Sequence, residues 1–152
     1  MKKPSLLLSL IFFFCAAVAA PSGDEYTCTM KFTDLQGSML EMSVAKFEFR
    51  LGSRVLVQAT PTSFRRSDEL TAAPAQQLSL ILTKGMDETS AKLSQAMRSK
   101  TKFPTVELAL MGTVGDKQIQ VTYHMSDVIV SRIAPIEGGE ALTLNFEELK
   151  QF

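Results

Sequence analysis

The sequence predicts a mainly β fold, a small antiparallel barrel or sandwich crossed by one α-helix over about residues 87–99. Three observations carry this. Apolar and polar residues alternate with period two in short runs from Tyr26 to Phe146. Turns containing glycine or aspartate separate those runs at short spacing. One stretch, "MDETSAKLSQAM", instead places Leu93, Ala96 and Met97 at helical spacing.

The chain opens with Lys2 and Lys3, the apolar run "LLLSLIFFFCAAV" and small residues before Pro21, the layout of a secretory signal peptide. The run is shorter than the ~20 residues that span a bilayer. Ala17 and Ala19 supply small residues at alternate positions, so cleavage is expected after Ala19. Residues 1–19 are then the signal peptide and 20–152 a single domain, exported to the periplasm or beyond, with no stable membrane insertion after processing.

"YTCTMKF" puts Tyr26, Cys28, Met30 and Phe32 on one face of a strand, and "TDLQGS" supplies the turn after it. Leu40, Met42 and Val44 continue in phase, but Phe47, Phe49 and Leu51 carry the apolar pattern afterwards. Such a one-residue slip predicts a β-bulge near Ala45 and Lys46. "RVLVQ" is a short strand, and Ala59 to Gln77, with Pro61 and Pro74, reads as a long loop. Leu78, Leu80 and Leu82 resume the alternation before the helix. Val106, Leu108 and Leu110 follow it, then Ile119, Val121, Tyr123 and Met125, "DVIVSRI" and "ALTLNF". That makes about seven to nine strands. Asp87 is placed to cap the helix, and Arg98 and Lys100 lie near the negative end of its dipole. Its stripe of Leu93, Ala96 and Met97 is expected to cover a side or end of the sheet that strands leave bare, as a plug.

Composition narrows the function. At 152 residues and 45% hydrophobic content, the chain can build one ordinary core. Sixteen basic residues balance 16 acidic ones, which leaves no field of one sign for nucleic acid. Removing Lys2 and Lys3 leaves 14 basic against 16 acidic residues. Cleavage also removes Cys15, so Cys28 remains alone and is expected as a buried thiol, the alternative being a disulfide between subunits. His124 is the single histidine, near Ser126, Asp127 and Ser131. On one strand His124 and Ser126 would stand ~7 Å apart, whereas a hydrolytic triad gathers residues from separate elements, so these read as surface polar groups. One histidine and one cysteine do not make a tetrahedral metal site. No cofactor and no catalytic residue is expected.

Four stretches, in order, resemble the haemolysin-coregulated protein (Hcp) family of type VI secretion. "MKFTDLQGS" is similar to its first strand and turn, and "AKFEFR" to its second strand. "LTKGMDETSAKLSQAMRSKTKFPTVELAL" is similar to its strand, turn, helix and following strand, with Asp87, Ser90 and Leu93 at matching positions. "YHMSDVIVSRI" and "LTLNFEELK" are similar to its last strands. The resemblance implies a β-barrel with a helix across it, assembly into hexameric rings that stack as a tube, effector proteins as cargo in the lumen, and a structural rather than enzymatic role. Ala91 stands where the family commonly has proline, and both are accepted in a helix's first turn. The signal peptide is the larger departure, since tube subunits are loaded from the cytoplasm without one. It implies either assembly outside the cytoplasm or a changed role, such as an exported monomeric binding module. In "FRRSDEL", Arg65, Arg66 and Asp68 are expected to form a subunit-interface loop, as extended loops do in Hcp-like rings.

Overall fold

A computed structural model describes residues 24–152. Residues 1–19, expected as a signal peptide with cleavage after Ala19, lie outside the described residues. The elements are β1 (Glu25–Thr33), β2 (Met39–Val44), β3 (Lys46–Leu51), β4 (Arg54–Thr60), β5 (Ser63–Arg66), α1 (Glu69–Ala72), a 3-10 turn (Ala75–Gln77), β6 (Leu78–Lys84), α2 (Glu88–Ser99), β7 (Phe103–Val114), β8 (Lys117–Ile136), β9 (Gly139–Asn145) and β10 (Glu148–Gln151). All ladders are antiparallel, in the order β2-β1-β7-β8-β9-β6-β3-β4-β5, with β10 added on β8.

The sheet curls around one core, but its ladder is not closed. Strands β2 and β5 are its free ends. Single backbone bonds replace a closing ladder: Ala45 N donates to Thr83 O (2.8 Å), and Tyr26 N to Pro61 O (2.9 Å). The phase slip at Ala45 marks a corner rather than a bulge within one ladder. There the chain leaves β1 and joins β6, and the inward side passes from Val44 to Phe47. Register shifts fall instead at Phe49/Arg50 and Val130/Arg132.

Ten strands replace the predicted seven to nine, and the long loop expected from Ala59 to Gln77 is largely ordered. Pro61 sits in a tight turn, so Ser63–Arg66 folds back on β4. Leu70, buried at 1% exposure, pins α1 to the core. A four-residue strand is too short to display alternation, which hid it in the sequence. The segments from Ile119 and from Asp127 are one strand, β8. It bends at Asp127, which adopts φ 54°, a left-handed conformation that aspartate tolerates better than most residues. Residues up to Val128 pair with β7 and those from Ile129 on with β9, so β8 belongs to both halves of the sheet.

The core is aromatic at its centre. Phe49 lies 5.0 Å from Tyr123 and 6.1 Å from Phe146 between ring centroids, and Phe47 6.1 Å from Tyr123. Phe32 and Phe103 stack edge to face at 4.9 Å beneath the end of α2. Among the described residues, no helix is long and apolar enough to cross a membrane.

Candidate functional site

Strand β5 carries no buried residue. It is an edge strand, and sheet edges carry unpaired backbone groups that recruit partners unless they are guarded. Arg65 and Arg66, expected on a loop, stand on this strand opposite Gln58 and Val57, and both are exposed. The Arg66 guanidinium lies 5.8 Å from the centroid of the Phe64 ring, which limits its freedom. With Val55, Leu56, Gln58 and Ser67 the two arginines line a shallow groove of about 290 Å³. Asp68 stands at the N-cap of α1, and Glu69 pairs with Arg54.

On α2, Leu93 is fully buried, Ala96 is 9% exposed and Met97 is half-buried against the core. The helix packs over β8 and β2. Its start is held by a capping box. Asp87 Oδ1 accepts from Thr89 N (2.9 Å), and Ser90 Oγ accepts from Asp87 N (3.2 Å).

Beneath that cap lies a cluster that sequence reasoning missed. Lys84 Nζ, with no exposed side-chain surface, donates to Glu140 Oε2 (2.8 Å), Gly85 O (2.8 Å) and Asp87 Oδ1 (3.1 Å), and lies 3.0 Å from Ser90 Oγ. Ser90 Oγ also donates to Glu140 Oε2 (2.6 Å). Lys84 and Glu140 are cross-strand partners of β6 and β9. The signal was present: Lys84 follows Leu78, Leu80 and Leu82 in the inward phase, and Glu140 precedes Leu142 and Leu144 in theirs. Burial raises the Glu140 pKa, but hydrogen bonds from Lys84 and Ser90 together with the Lys84 charge outweigh it, so the net direction is down. The Thr89 hydroxyl bonded to Asp87 lowers that carboxyl's pKa as well. Partial burial opposes the shift, and Lys84 adds to it. Close backbone packing seals the cluster, since a Cβ on Gly139 would lie 2.1 Å from Lys84 O.

The remaining candidates are not gathered into a site. Cys28 is 8% exposed, and burial pushes its thiol up to about 12. His124 Nε2 lies 3.5 Å from Glu107 Oε2 on β7, and its ring meets Phe152 edge-on at 4.8 Å. Ser131 Oγ donates instead to Thr143 O (3.0 Å).

A family model described as "Type VI secretion system effector, Hcp" matches residues 30–151. No curated protein matches. Among solved structures, Hcp1 from Salmonella typhimurium is similar with TM-score 0.53 and 17% identity over 84% of each chain. The secreted protein Hcp3 from Pseudomonas aeruginosa is similar with TM-score 0.55 and 12% identity, over 84% of this chain and 97% of that one. Hcp1 of E. coli EAEC 042 is similar with TM-score 0.55 and 12% identity, over 83% and 97%. At such identities the structures speak for a shared fold, while the family match extends from β1 into β10. The chain belongs to the Hcp family of type VI secretion.

Proposed function

We propose that this chain is an exported, ring-forming subunit of the Hcp type, a structural protein that carries effector cargo in the lumen of its ring. The family match over residues 30–151 is the observation that carries this reading. A curled sheet with two open edges supports it, because a closed ring requires two different surfaces, repeated by rotation. Arg65, Arg66 and Asp68 belong to one of these surfaces, and α2 serves as the plug that keeps the subunit's own core dry. Export through an N-terminal signal puts assembly outside the cytoplasm, where the buried Cys28 thiol stays reduced and unlinked. The second reading is an exported monomeric module or secreted effector that has lost assembly, favoured by the word "effector" in the family description.

Native mass spectrometry of the processed protein from the periplasm tests both parts. The expected result is a hexamer of chains beginning at Ala20. A stable monomer at micromolar concentration would overturn the ring in favour of the module, and a retained Met1 would overturn export by signal cleavage.

A further inference from the structure

The two free ends of the sheet carry opposite charge. At the β5 end, Arg65 and Arg66 are both exposed on an edge strand, Arg65 on the outer face opposite Gln58 and Arg66 on the other face opposite Val57, and both border the groove formed with Val55 and Gln58. At the β2 end, a second open groove of about 300 Å³ runs between β2 and the start of α2. Glu41, Asp87 and Glu88 line it with Thr29, Ser43 and Met42. Glu41 has 70% of its side chain exposed, with Lys31 at 3.8 Å as its weak partner on β1, and Glu88 is exposed in the first turn of α2. Asp87 turns inward to cap the helix and bind Lys84, so Glu41 and Glu88 are the carboxylates left to face a partner.

We propose that the Arg65–Arg66 edge of one copy docks on the Glu41–Glu88 groove of the next, so that this pair of unlike surfaces forms the repeating contact of the assembly. The inference rests on the ring reading above and names its two faces. Charge complementarity selects a second copy as the occupant: one chain supplies both signs, at the two unpaired ends of one sheet. Such a contact is heterologous and repeats head to tail. Arginine suits the role, because a fork of donors on carboxylates holds orientation as well as charge. Of the acids near the arginines, Glu69 is engaged by Arg54, and Asp68 at the start of α1 reduces the positive charge of this end without reversing it, since Arg54, Arg65 and Arg66 outnumber the two.

A plain edge guard is the competing account of the arginines, and it makes a different prediction. A guard works through any charge, so glutamate would serve as well as arginine. The experiment measures self-association of the full processed chain by sedimentation velocity at low and high salt. The expected result is that Arg65→Glu/Arg66→Glu weakens association at least about tenfold. Glu41→Lys/Glu88→Lys does the same, and an equimolar mixture of the two variants regains association. High salt weakens the parent contact, because exposed charges are screened over a Debye length of about 8–10 Å. If the parent assembles and neither charge reversal weakens it, the docking pair is wrong and the ring stands. If the reversals weaken association but the mixture does not restore it, the two faces are not partners. If the parent itself is monomeric at every salt concentration, both the ring and its contact fall. Circular dichroism spectra matching the parent establish that each variant is folded.

Discussion

In the ladder between β6 and β9, Leu80 stands opposite Leu144 at one end and Leu82 opposite Leu142 in the middle. At the other end, Lys84 stands opposite Glu140, and is nearly as dry. The leucine pairs need only shape, because hydrocarbon transferred from water is stabilising wherever it packs. The charged pair needs every partner at once: an ammonium with three protons, a carboxylate, a serine hydroxyl and the Gly85 carbonyl. The inward phase of a strand therefore accepts an ion when the opposite strand and a helix start together satisfy it. Specificity of placement follows, since a β6 strand slipped by one residue would leave Lys84 without Glu140.

The contrast can be broken from the charged side first. Glu140→Leu removes the buried carboxylate from the Lys84 ammonium, leaving it the partly exposed Asp87 and the Gly85 carbonyl, and is expected to cost about 3 kcal/mol in urea denaturation, at the low end for a broken buried pair. Lys84→Met/Glu140→Leu removes both charges and is expected to lose far less, or to gain stability, which would separate the cost of an orphaned ion from the worth of the pair. On the apolar side, Leu93→Ala at the fully buried centre of α2 is expected to cost about 2 to 5 kcal/mol. An unchanged midpoint would remove the helix as a plug.

Within this ladder, acid perturbs the charged end and leaves the leucine pairs untouched. Glu140 and Asp87 both titrate below their ordinary values in the folded chain. Their contribution is therefore complete above the unfolded carboxylate pKa of about 4, and is lost as pH falls through the lower folded values. Thermal denaturation between pH 7 and pH 3 should show the parent losing stability more steeply below about pH 4 than the Lys84→Met/Glu140→Leu variant. Parallel curves would exclude the cluster as the cause. The smallest effect is expected at Tyr123, whose hydroxyl is buried with no hydrogen-bond partner among the described residues and whose pKa burial raises to about 12. Tyr123→Phe should be neutral or stabilising by up to about 1 kcal/mol, because it deletes an unsatisfied polar atom.

Much of this was legible in the sequence. Alternation located the strands from Tyr26 to Phe146, and Asp87 with the Leu93 stripe located the helix almost to the residue. Strand order was not legible, because period two reports which face is buried and says nothing about neighbours. Strand β5 escaped because four residues carry no period, and the proline at 61 looked like a breaker where it forms a turn. The Lys84–Glu140 pair escaped for a different reason. Each residue sits at the end of an apolar run, where a charge normally marks the exit to solvent, and only the register of β6 on β9 brings the two together. The edge arginines were visible, but the acidic groove was not, since Glu41 and Glu88 are 47 positions apart and meet through the packing of α2 beside β2.

Strand β8 runs for 20 residues through both halves of the sheet. Severing the backbone at Asp127 would break this span between its β7 and β9 ladders, leaving the halves joined at the Ala45 corner and through the connection from β6 over α2 to β7. Along this span the two halves share one continuous backbone, with ladders of hydrogen bonds to β7 and β9, and the Ala45 corner joins them a second time. For a protein proposed to sit in a ring, that spine lies between the half of the sheet that ends in β2 and the half that ends in β5, so a shift of one wall is passed to the other through a shared strand.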